Sequence, residues 1–257
     1  MATVIRSREL NVLSVFSLEV SKVLRRFVLG KKDLTEVNEQ VEKAAGGKSE
    51  LELRKELRNM LTNSEFSIKG ECAISLLMTK LHIINTVLFM ELGRNVIQMK
   101  SGRLKTVDSV CKKLQKKNLE ISFPVAVERI NDLIGMRAIC AYVDDIYRVA
   151  ELIEKQKDIR VVKRKDYIKE PKKSGYQSLH LIIEVAISFQ DNTQWMKLEL
   201  QLRTAAMDYW ANLDHQLRYK RGRKEAASID EELRECAEVI GQLDQRMQEI
   251  RKKIDKI

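Results

Sequence analysis

Four runs of residues in the second half of the chain have the apolar pattern of β-strands, and they limit the fold more than any other feature. They span residues 136–143, 159–168, 178–187 and 195–203. A helix with acidic residues in its first turn is predicted between the first two runs, at 144–156. One strand, a helix and then three strands indicate an α+β fold in which helices flank a mixed β-sheet.

The rest of the chain is predicted to be helical, because apolar residues recur there at helical spacing. The predicted helices span 12–28, 32–45, 50–61, about 65–98, 104–118, 204–220 and 230–255. With only two prolines and ten glycines, the sequence has few residues that interrupt long helices. We divide the chain into a helical N-terminal section at 1–99, a mixed-sheet domain at 100–221 and a C-terminal helix at 222–257.

The C-terminal helix has a heptad pattern. Its apolar or small residues are alternately three and four positions apart, and they are Leu233, Cys236, Ile240, Leu243, Met247, Ile250 and Ile254. Three heptads of this kind favour a coiled-coil seam, so we expect the chain to form a homo-oligomer. The alternative is a helix that packs on its own domain.

The positive charge is concentrated in two segments. The chain has 47 Lys and Arg against 37 Asp and Glu, a formal net charge of +10. Residues 103–120 hold six bases and two acids, and residues 160–173 hold seven bases and two acids. Two local clusters suit a small polyanion such as a nucleotide, or an RNA, better than a diffuse attraction to a membrane. A solvated charged face is the alternative.

Cysteine spacing and hydropathy exclude several classes of protein. The four cysteines are far apart and form no CxxC pair, which argues against a disulfide framework or a zinc site and favours the cytoplasm. The most apolar segment, 74–90, contains Lys80 and His82. We therefore expect no membrane span and no membrane partner.

Two carboxylates are candidates for holding a metal ion. In the strand 197–203, alternation places three leucines on one face and Lys197, Glu199, Gln201 and Arg203 on the other. Asp132 stands just before the strand 136–143. A carboxylate at the start of one strand and a second on a neighbouring strand can jointly hold Mg²⁺, which also binds substrate phosphates. The alternative is an amphipathic strand with one wet face.

A basic strand runs into a glycine loop. Residues 163–168 are mostly basic, and the loop at 171–178 contains Gly175 and Tyr176. A basic loop with an aromatic side chain suits a phosphate together with a stacked base.

Four ordered motifs resemble the synthetase domain of the RelA/SpoT family. They are Asp-Leu-Ile-Gly-Met-Arg (132–137), Lys-Asp-Tyr-Ile (165–168), Pro-Lys-Lys-Ser-Gly-Tyr-Gln-Ser-Leu-His (171–180) and Glu-Leu-Gln-Leu-Arg-Thr (199–204). The similarity covers roughly residues 100–220. It implies a nucleotidyltransferase-like fold and a GTP pyrophosphokinase, which transfers pyrophosphate from ATP to the 3′-hydroxyl of GDP or GTP. Long members of the family also carry a hydrolase domain with a His-Asp metal motif. None of the three histidines in this chain is followed by Asp, so the resemblance implies an enzyme that only synthesises the product.

The resemblance also implies roles for individual residues. Asp132 would hold Mg²⁺, and Glu199 would help to hold it or act as the general base on the 3′-hydroxyl. The residues on the ATP side would be Arg103, Lys105, Ser109, Lys113 and Arg137. The residues on the GDP or GTP side would be Lys165, Lys172, Tyr176, His180, Gln201, Arg203, Asp208 and His215, with Tyr176 stacked on guanine.

Two other functions stay open from the sequence. Some small relatives are toxins that pyrophosphorylate the 3′ end of tRNA, and a chain with a net charge of +10 suits such a nucleic-acid partner. The other is a module that binds a nucleotide or RNA without catalysis. The carboxylate pair argues against this module, because an anion site is weakened by Asp132 and Glu199.

Overall fold

The computed structural model describes residues 48–62, 64–189, 192–219 and 226–256. The helices predicted at 12–28 and 32–45 lie outside these residues. The described helices are α1 (Glu50–Thr62), α2 (Glu65–Leu92), α3 (Val107–Lys116), α4 (Phe123–Arg129), α5 (Val143–Glu154), α6 (Ala205–Tyr219) and α7 (Ala226–Ile254). The strands are β1 (Ile97–Leu104), β2 (Ile134–Cys140), β3 (Ile159–Asp166), β4 (Leu179–Phe189) and β5 (Asn192–Thr204).

The chain divides into two compact units, Met1–Lys55 and Glu56–Ile257. In the first unit, α1 begins with a capping box: the backbone amide of Ser49 donates to the Glu52 carboxylate at 2.9 Å, and the Glu52 amide donates back to the Ser49 hydroxyl. The second unit contains the sheet together with α2 to α7.

The sheet is mixed, as the sequence predicts. Its five strands have the order β1-β2-β5-β4-β3. The pair β2 and β5 is parallel, and the other three pairs are antiparallel. The four predicted strands correspond to β2, β3, β4 and β5, so the predicted α+β class is confirmed.

The fifth strand, β1, was not predicted, and the helices on both sides of it are shorter than expected. Gly93 ends α2 in the left-handed conformation, with φ of 66°, and its amide donates to the carbonyl of Phe89. The predicted boundary at residues 99 and 100 falls inside β1. The sequence shows no alternation here because Ile97 is the only fully buried residue of this edge strand. The short helix α4 was not predicted either.

One face of the sheet packs on α2 and α5. The leucines predicted to share a face of β5, namely Leu198, Leu200 and Leu202, are all fully buried in this core. The helices contribute Ala73, Leu77, Leu81, Ile84, Leu88, Ile146, Val149, Ala150 and Ile153. Of the described helices, α2 alone is long and apolar enough by composition to cross a membrane. One stripe of this helix packs on the sheet, and 28% of its most apolar stretch of 18 residues is buried.

The C-terminal helix α7 uses its heptad pattern in two ways. Its N-terminal half packs on α6, where Leu233 and Ala237 are buried beside Trp210 and the indole N–H donates to the Leu233 carbonyl at 2.8 Å. Its C-terminal half leaves the pattern exposed at Leu243, Met247, Ile250 and Ile254. These four exposed residues are called the α7 stripe below.

Candidate active site

A row of polar residues crosses the face of the sheet opposite the core. In the strand register, Ser101 pairs with Arg137, Arg137 with Gln201, Gln201 with His180, and His180 with Lys165. Residues that are opposite each other in neighbouring strands project to the same face. Five strands therefore supply one polar row, and Glu199 and Arg203 extend it along β5 as the sequence predicts.

Asp132 lies in the turn before β2, between two lysines. Nζ of Lys105 lies 2.9 Å from Asp132 Oδ2, and Nζ of Lys113 lies 2.7 Å from Oδ1. Burial raises the pKa of the Asp132 carboxyl, but the hydrogen bonds and charges of the two lysines lower it by more, so the net pKa lies below its ordinary value. The carboxylate is thus ionised and paired.

Glu199 belongs to a closed ring of hydrogen bonds. His180 Nδ1 lies 3.2 Å from Glu199 Oε1, and Gln201 Nε2 donates to Oε2 at 2.8 Å. The Tyr176 hydroxyl lies 2.8 Å from His180 Nε2. Arg203 Nη2 closes the ring by donating to the Tyr176 hydroxyl at 2.5 Å and to Gln201 Oε1 at 2.8 Å.

Three members of the ring are shielded from water. His180, Glu199 and Arg203 are 6%, 8% and 4% exposed, whereas Tyr176 and Gln201 are half-buried. Burial raises the pKa of Glu199, but the hydrogen bond and the electrostatic interaction with His180, together with the hydrogen bond from Gln201, lower it by more, which leaves the pKa below its ordinary value. Glu199 is therefore an ionised carboxylate that can accept a proton.

Asp208, in the first turn of α6, joins two guanidinium groups. Its Oδ1 lies 2.9 Å from Nη1 of Arg137 and 2.9 Å from Nη1 of Arg203. Burial is the main cause of a lowered pKa at Arg137, and the charges of Arg203 and Arg103 add to it. A cluster of cations that repel one another suits a ligand with several negative charges.

The glycine loop holds Tyr176 against the sheet and α7. Gly175 has φ of 85°, and the space where a side chain would lie is filled by Ala237 of α7. The Lys172 ammonium lies 4.5 Å from the Tyr176 ring centre, and the Arg203 guanidinium lies 5.1 Å from it. Partial desolvation of its ammonium group lowers the pKa of Lys172, although the side chain as a whole is exposed. Two cations thus lie over the tyrosine ring.

Two adjoining cavities bring most of the predicted residues together. The smaller, of about 240 Å³, is lined by Asp132 and Glu199. The larger, of about 580 Å³, is lined by Tyr176, Arg203 and His215. The residues that line both cavities are Arg103, Arg137 and Gln201.

Other predicted residues lie at the edge of this group. Lys165 sits at the end of the polar row, on the edge strand β3. Ser109 is exposed in the first turn of α3, where its hydroxyl is 2.8 Å from the Thr106 hydroxyl, so the structure places it with the helix cap and not at a cavity wall.

Several residues of the site were missed in the sequence, among them Asn212 and Ser178. Asn212 lines the larger cavity and donates a hydrogen bond to Asp208 at 3.1 Å. It follows Asp208 by four residues on a helix, and this spacing could have predicted the contact. Ser178 is fully buried and accepts a 3.4 Å hydrogen bond from Nε of Arg203. Its position in the glycine loop gave no indication of this contact.

The carboxylates fit a magnesium ion that arrives with a nucleotide. In the described ranges, no group of three or more His, Cys, Asp or Glu lies together as a metal cage. Mg²⁺ is commonly held by one or two carboxylates, with waters and substrate phosphates as its other ligands. Asp132 and Glu199 provide two carboxylates in one cavity, which meets this requirement.

Comparison with known proteins gives the family. Residues 102–224 match the model of the region found in RelA / SpoT proteins. The GTP pyrophosphokinase YwaC of Bacillus subtilis is 39% identical over 183 residues, which are 71% of this chain and 87% of that protein. The GTP pyrophosphokinase YjbM of the same organism is 33% identical over 186 residues, or 72% of this chain and 87% of YjbM.

Solved structures agree with this result. The crystal structure of the small alarmone synthetase 1 from Bacillus subtilis bound to its product pppGpp superposes with a TM-score of 0.65 at 33% identity, covering 72% of this chain and 94% of that one. The small alarmone synthetase 2 from the same organism gives a TM-score of 0.64 at 37% identity, covering 72% and 96%. With relatives of this identity covered over most of their length, the chain belongs to the RelA/SpoT family.

Proposed function

We propose that the chain is a GTP pyrophosphokinase that acts in synthesis only. It transfers pyrophosphate from ATP to the 3′-hydroxyl of GDP or GTP and forms the alarmones ppGpp or pppGpp. The observation that carries this proposal is the adjoining pair of cavities, one with two carboxylates and one with Tyr176, which share three polar residues. The names of YwaC and YjbM, and the pppGpp bound to a structural relative, support it.

The reaction needs positioning more than covalent work from the protein. The 3′-oxygen forms a bond to the β-phosphorus of ATP, and the bond from that phosphorus to the α–β bridging oxygen breaks. AMP leaves with the electron pair of the broken bond, and the 3′-hydroxyl proton goes to the Glu199 carboxylate. Holding the two substrates in line, with cations around the phosphates, lowers the barrier.

The two sides of the site receive separate roles. Arg103, Lys105, Lys113 and Arg137 bind ATP in this proposal, and Ser109 has the weakest support because it bonds the helix cap. Asp132 and Glu199 would hold Mg²⁺, which would offset the negative charge of the substrate phosphates. Lys105 and Lys113 pair with Asp132 in the free protein. Their ammonium groups would be free for the phosphates of ATP once that carboxylate holds a metal ion.

The guanine ring stacks on Tyr176 in this proposal. Lys172 and Arg203 lie over that ring in the free protein, so a stacked base displaces one of them. Arg203 is buried and hydrogen-bonded, whereas Lys172 is exposed. Lys172 is therefore the cation that moves, and it then reaches the phosphates of GDP or GTP. The remaining residues on this side are Lys165, His180, Gln201, Asp208 and His215.

Acceptor specificity tests the proposal. The protein is incubated with ATP labelled on the γ-phosphate, Mg²⁺ and, in turn, GDP, GTP or deacylated tRNA. We expect label on the guanosine nucleotides. Label on tRNA alone would assign the chain to the tRNA-modifying relatives, and no transfer to any acceptor would favour a binding module.

We also propose a cytoplasmic homo-oligomer that associates through the α7 stripe. The four free cysteines are compatible with that compartment. Apolar side chains at Leu243, Met247 and Ile250 are 53%, 47% and 42% exposed, which favours a partner surface. Light scattering should give a mass that is a multiple of 29.8 kDa for the wild type, and a lower one for Met247→Glu. A wild-type mass of one chain at all concentrations contradicts this assembly.

A further inference from the structure

We infer that His180 is a positioning residue that orients the Glu199 carboxylate and links it to the hydroxyl of Tyr176. The inference rests on the proposed function, in which Glu199 accepts the proton and Tyr176 stacks on guanine. The resemblance to the family suggests only that His180 lines the site. The closed ring of hydrogen bonds around Glu199 assigns it a more definite task.

The direction of every hydrogen bond in the ring follows from the chemistry of its members. An ionised carboxylate only accepts, so His180 must carry its proton on Nδ1 and donate to Glu199. Nε2 of a neutral imidazole is then an acceptor, and the Tyr176 hydroxyl donates to it. Arg203 can only donate, and it donates to the Tyr176 oxygen. Each donor therefore finds an acceptor.

Of the two neutral tautomers of His180, only the one protonated on Nδ1 fits the ring. With the proton on Nε2, the lone pair of Nδ1 would face the lone pairs of Glu199 at 3.2 Å. With protons on both nitrogens, two donors would point at the Tyr176 oxygen and its own proton would turn out of the ring. The tyrosine hydroxyl thus selects the imidazole tautomer that donates to Glu199.

This arrangement gives the two parts of Tyr176 different tasks. Its ring offers a face for guanine, and its hydroxyl fixes His180. Glu199 is held at one oxygen by His180 and at the other by Gln201, and each oxygen keeps a lone pair for the incoming proton. His180 and Glu199 are both buried, so the bond between them is little exposed to water.

Removing the tyrosine hydroxyl tests the link. Tyr176→Phe keeps the stacking face, so we expect the dissociation constant for GDP to change less than about twofold while kcat falls about 10- to 100-fold, as for other residues that orient a catalytic group. Tyr167→Phe is the matched control. Tyr167 packs edge-on against Tyr176 and His180 in the same cluster but is outside the ring. Its kcat should match the wild type, and an unchanged kcat in Tyr176→Phe overturns the inference.

Two substitutions of His180 separate positioning from packing. An Asn side chain places an amide N–H near the position of Nδ1, whereas a Gln side chain reaches the position of Nε2 and leaves Glu199 without this donor. We expect His180→Asn to retain much more of kcat than His180→Gln. Adding Tyr176→Phe to His180→Asn should cost nothing further, because an amide needs no tautomer selection. Equal losses in the two single variants would indicate a merely structural histidine.

Nitrogen chemical shifts of the three histidines give a test that does not depend on activity. In the free protein labelled with ¹⁵N-histidine, the signal lost in His180→Asn should show a protonated Nδ1 and an unprotonated Nε2. Tyr176→Phe should shift it towards a mixture of tautomers. A protonated Nε2 in the wild type overturns the inference. A wild type that transfers no pyrophosphate contradicts the proposed function instead, and the tautomer remains measurable.

Discussion

Gly175 lies directly against Ala237. A Cβ built on the glycine would lie 2.5 Å from the Ala237 Cβ and 3.3 Å from the Cα of Arg234. The loop that presents Tyr176 therefore rests on α7 without any intervening side chain. Because the second neighbour is backbone, neither side can yield without moving the loop or the helix.

Gly175→Ala should therefore weaken both the fold and the guanosine site. The strain of a left-handed residue is about 1 kcal/mol or more, and the clash with α7 adds to it. We expect a lower free energy of unfolding in urea and a higher dissociation constant for GDP.

Gly93→Ala is the control for that substitution. Gly93 has φ of 66°, but a Cβ there would meet nothing within 4 Å. This variant should show the cost of backbone strain alone, with GDP binding unchanged. An equal loss of stability in the two variants would show that the contact between the loop and α7 is unimportant.

Asp132→Asn should abolish turnover while the protein stays folded. The amide keeps the size of the side chain but loses the charge that binds Mg²⁺ and pairs with Lys105 and Lys113. We expect kcat to fall at least about 100-fold, which corresponds to about 2.7 kcal/mol. Pyrophosphate transfer measures the effect, and circular dichroism checks the fold. Turnover like that of the wild type would show that the metal ligand has been wrongly assigned.

Tyr176→Ala should weaken binding of GDP and GTP and spare ATP. Loss of one stacked base contact costs about 1–3 kcal/mol. Titration calorimetry with each nucleotide separates the two sides of the site. An unchanged affinity for GDP would exclude stacking on this ring.

The stabilising contribution of Glu199 should depend on pH. Its pKa in the folded protein lies below the ordinary value of about 4.3, so this contribution is complete above that pH and is lost as the pH falls through the folded value. The difference in unfolding free energy between the wild type and Glu199→Gln should be constant near neutral pH and shrink below about pH 4.3. A difference that grows as the pH falls contradicts the ionised, hydrogen-bonded carboxylate.

The fold was predictable from the sequence where a strand has one buried face. β5 alternates between leucines and polar residues, and both faces lie where the alternation places them. β1 has no such alternation. Its residues form a strand because they pair with β2, and in that pairing Arg103 is opposite Gly135. Only the pairing partner reveals a strand of this kind.

The site was predictable as a set of residues but not as a network. Glu199, Gln201 and Arg203 were expected to share a face because they alternate along β5. The contribution of His180 depends on the register of β4 against β5, in which His180 is opposite Gln201. Register across a sheet is set by distant parts of the chain. The ring of hydrogen bonds could therefore be identified only from the structure.

The leaving group of the reaction tests the central claim most directly. Wild-type protein is mixed with ATP, Mg²⁺ and GDP, and the adenine nucleotides and the guanosine product are counted together. We predict one AMP for each guanosine nucleotide that gains two phosphates, and no transfer to 3′-deoxy GDP. Formation of ADP, or transfer to the 3′-deoxy acceptor, would contradict pyrophosphate transfer to the 3′-hydroxyl.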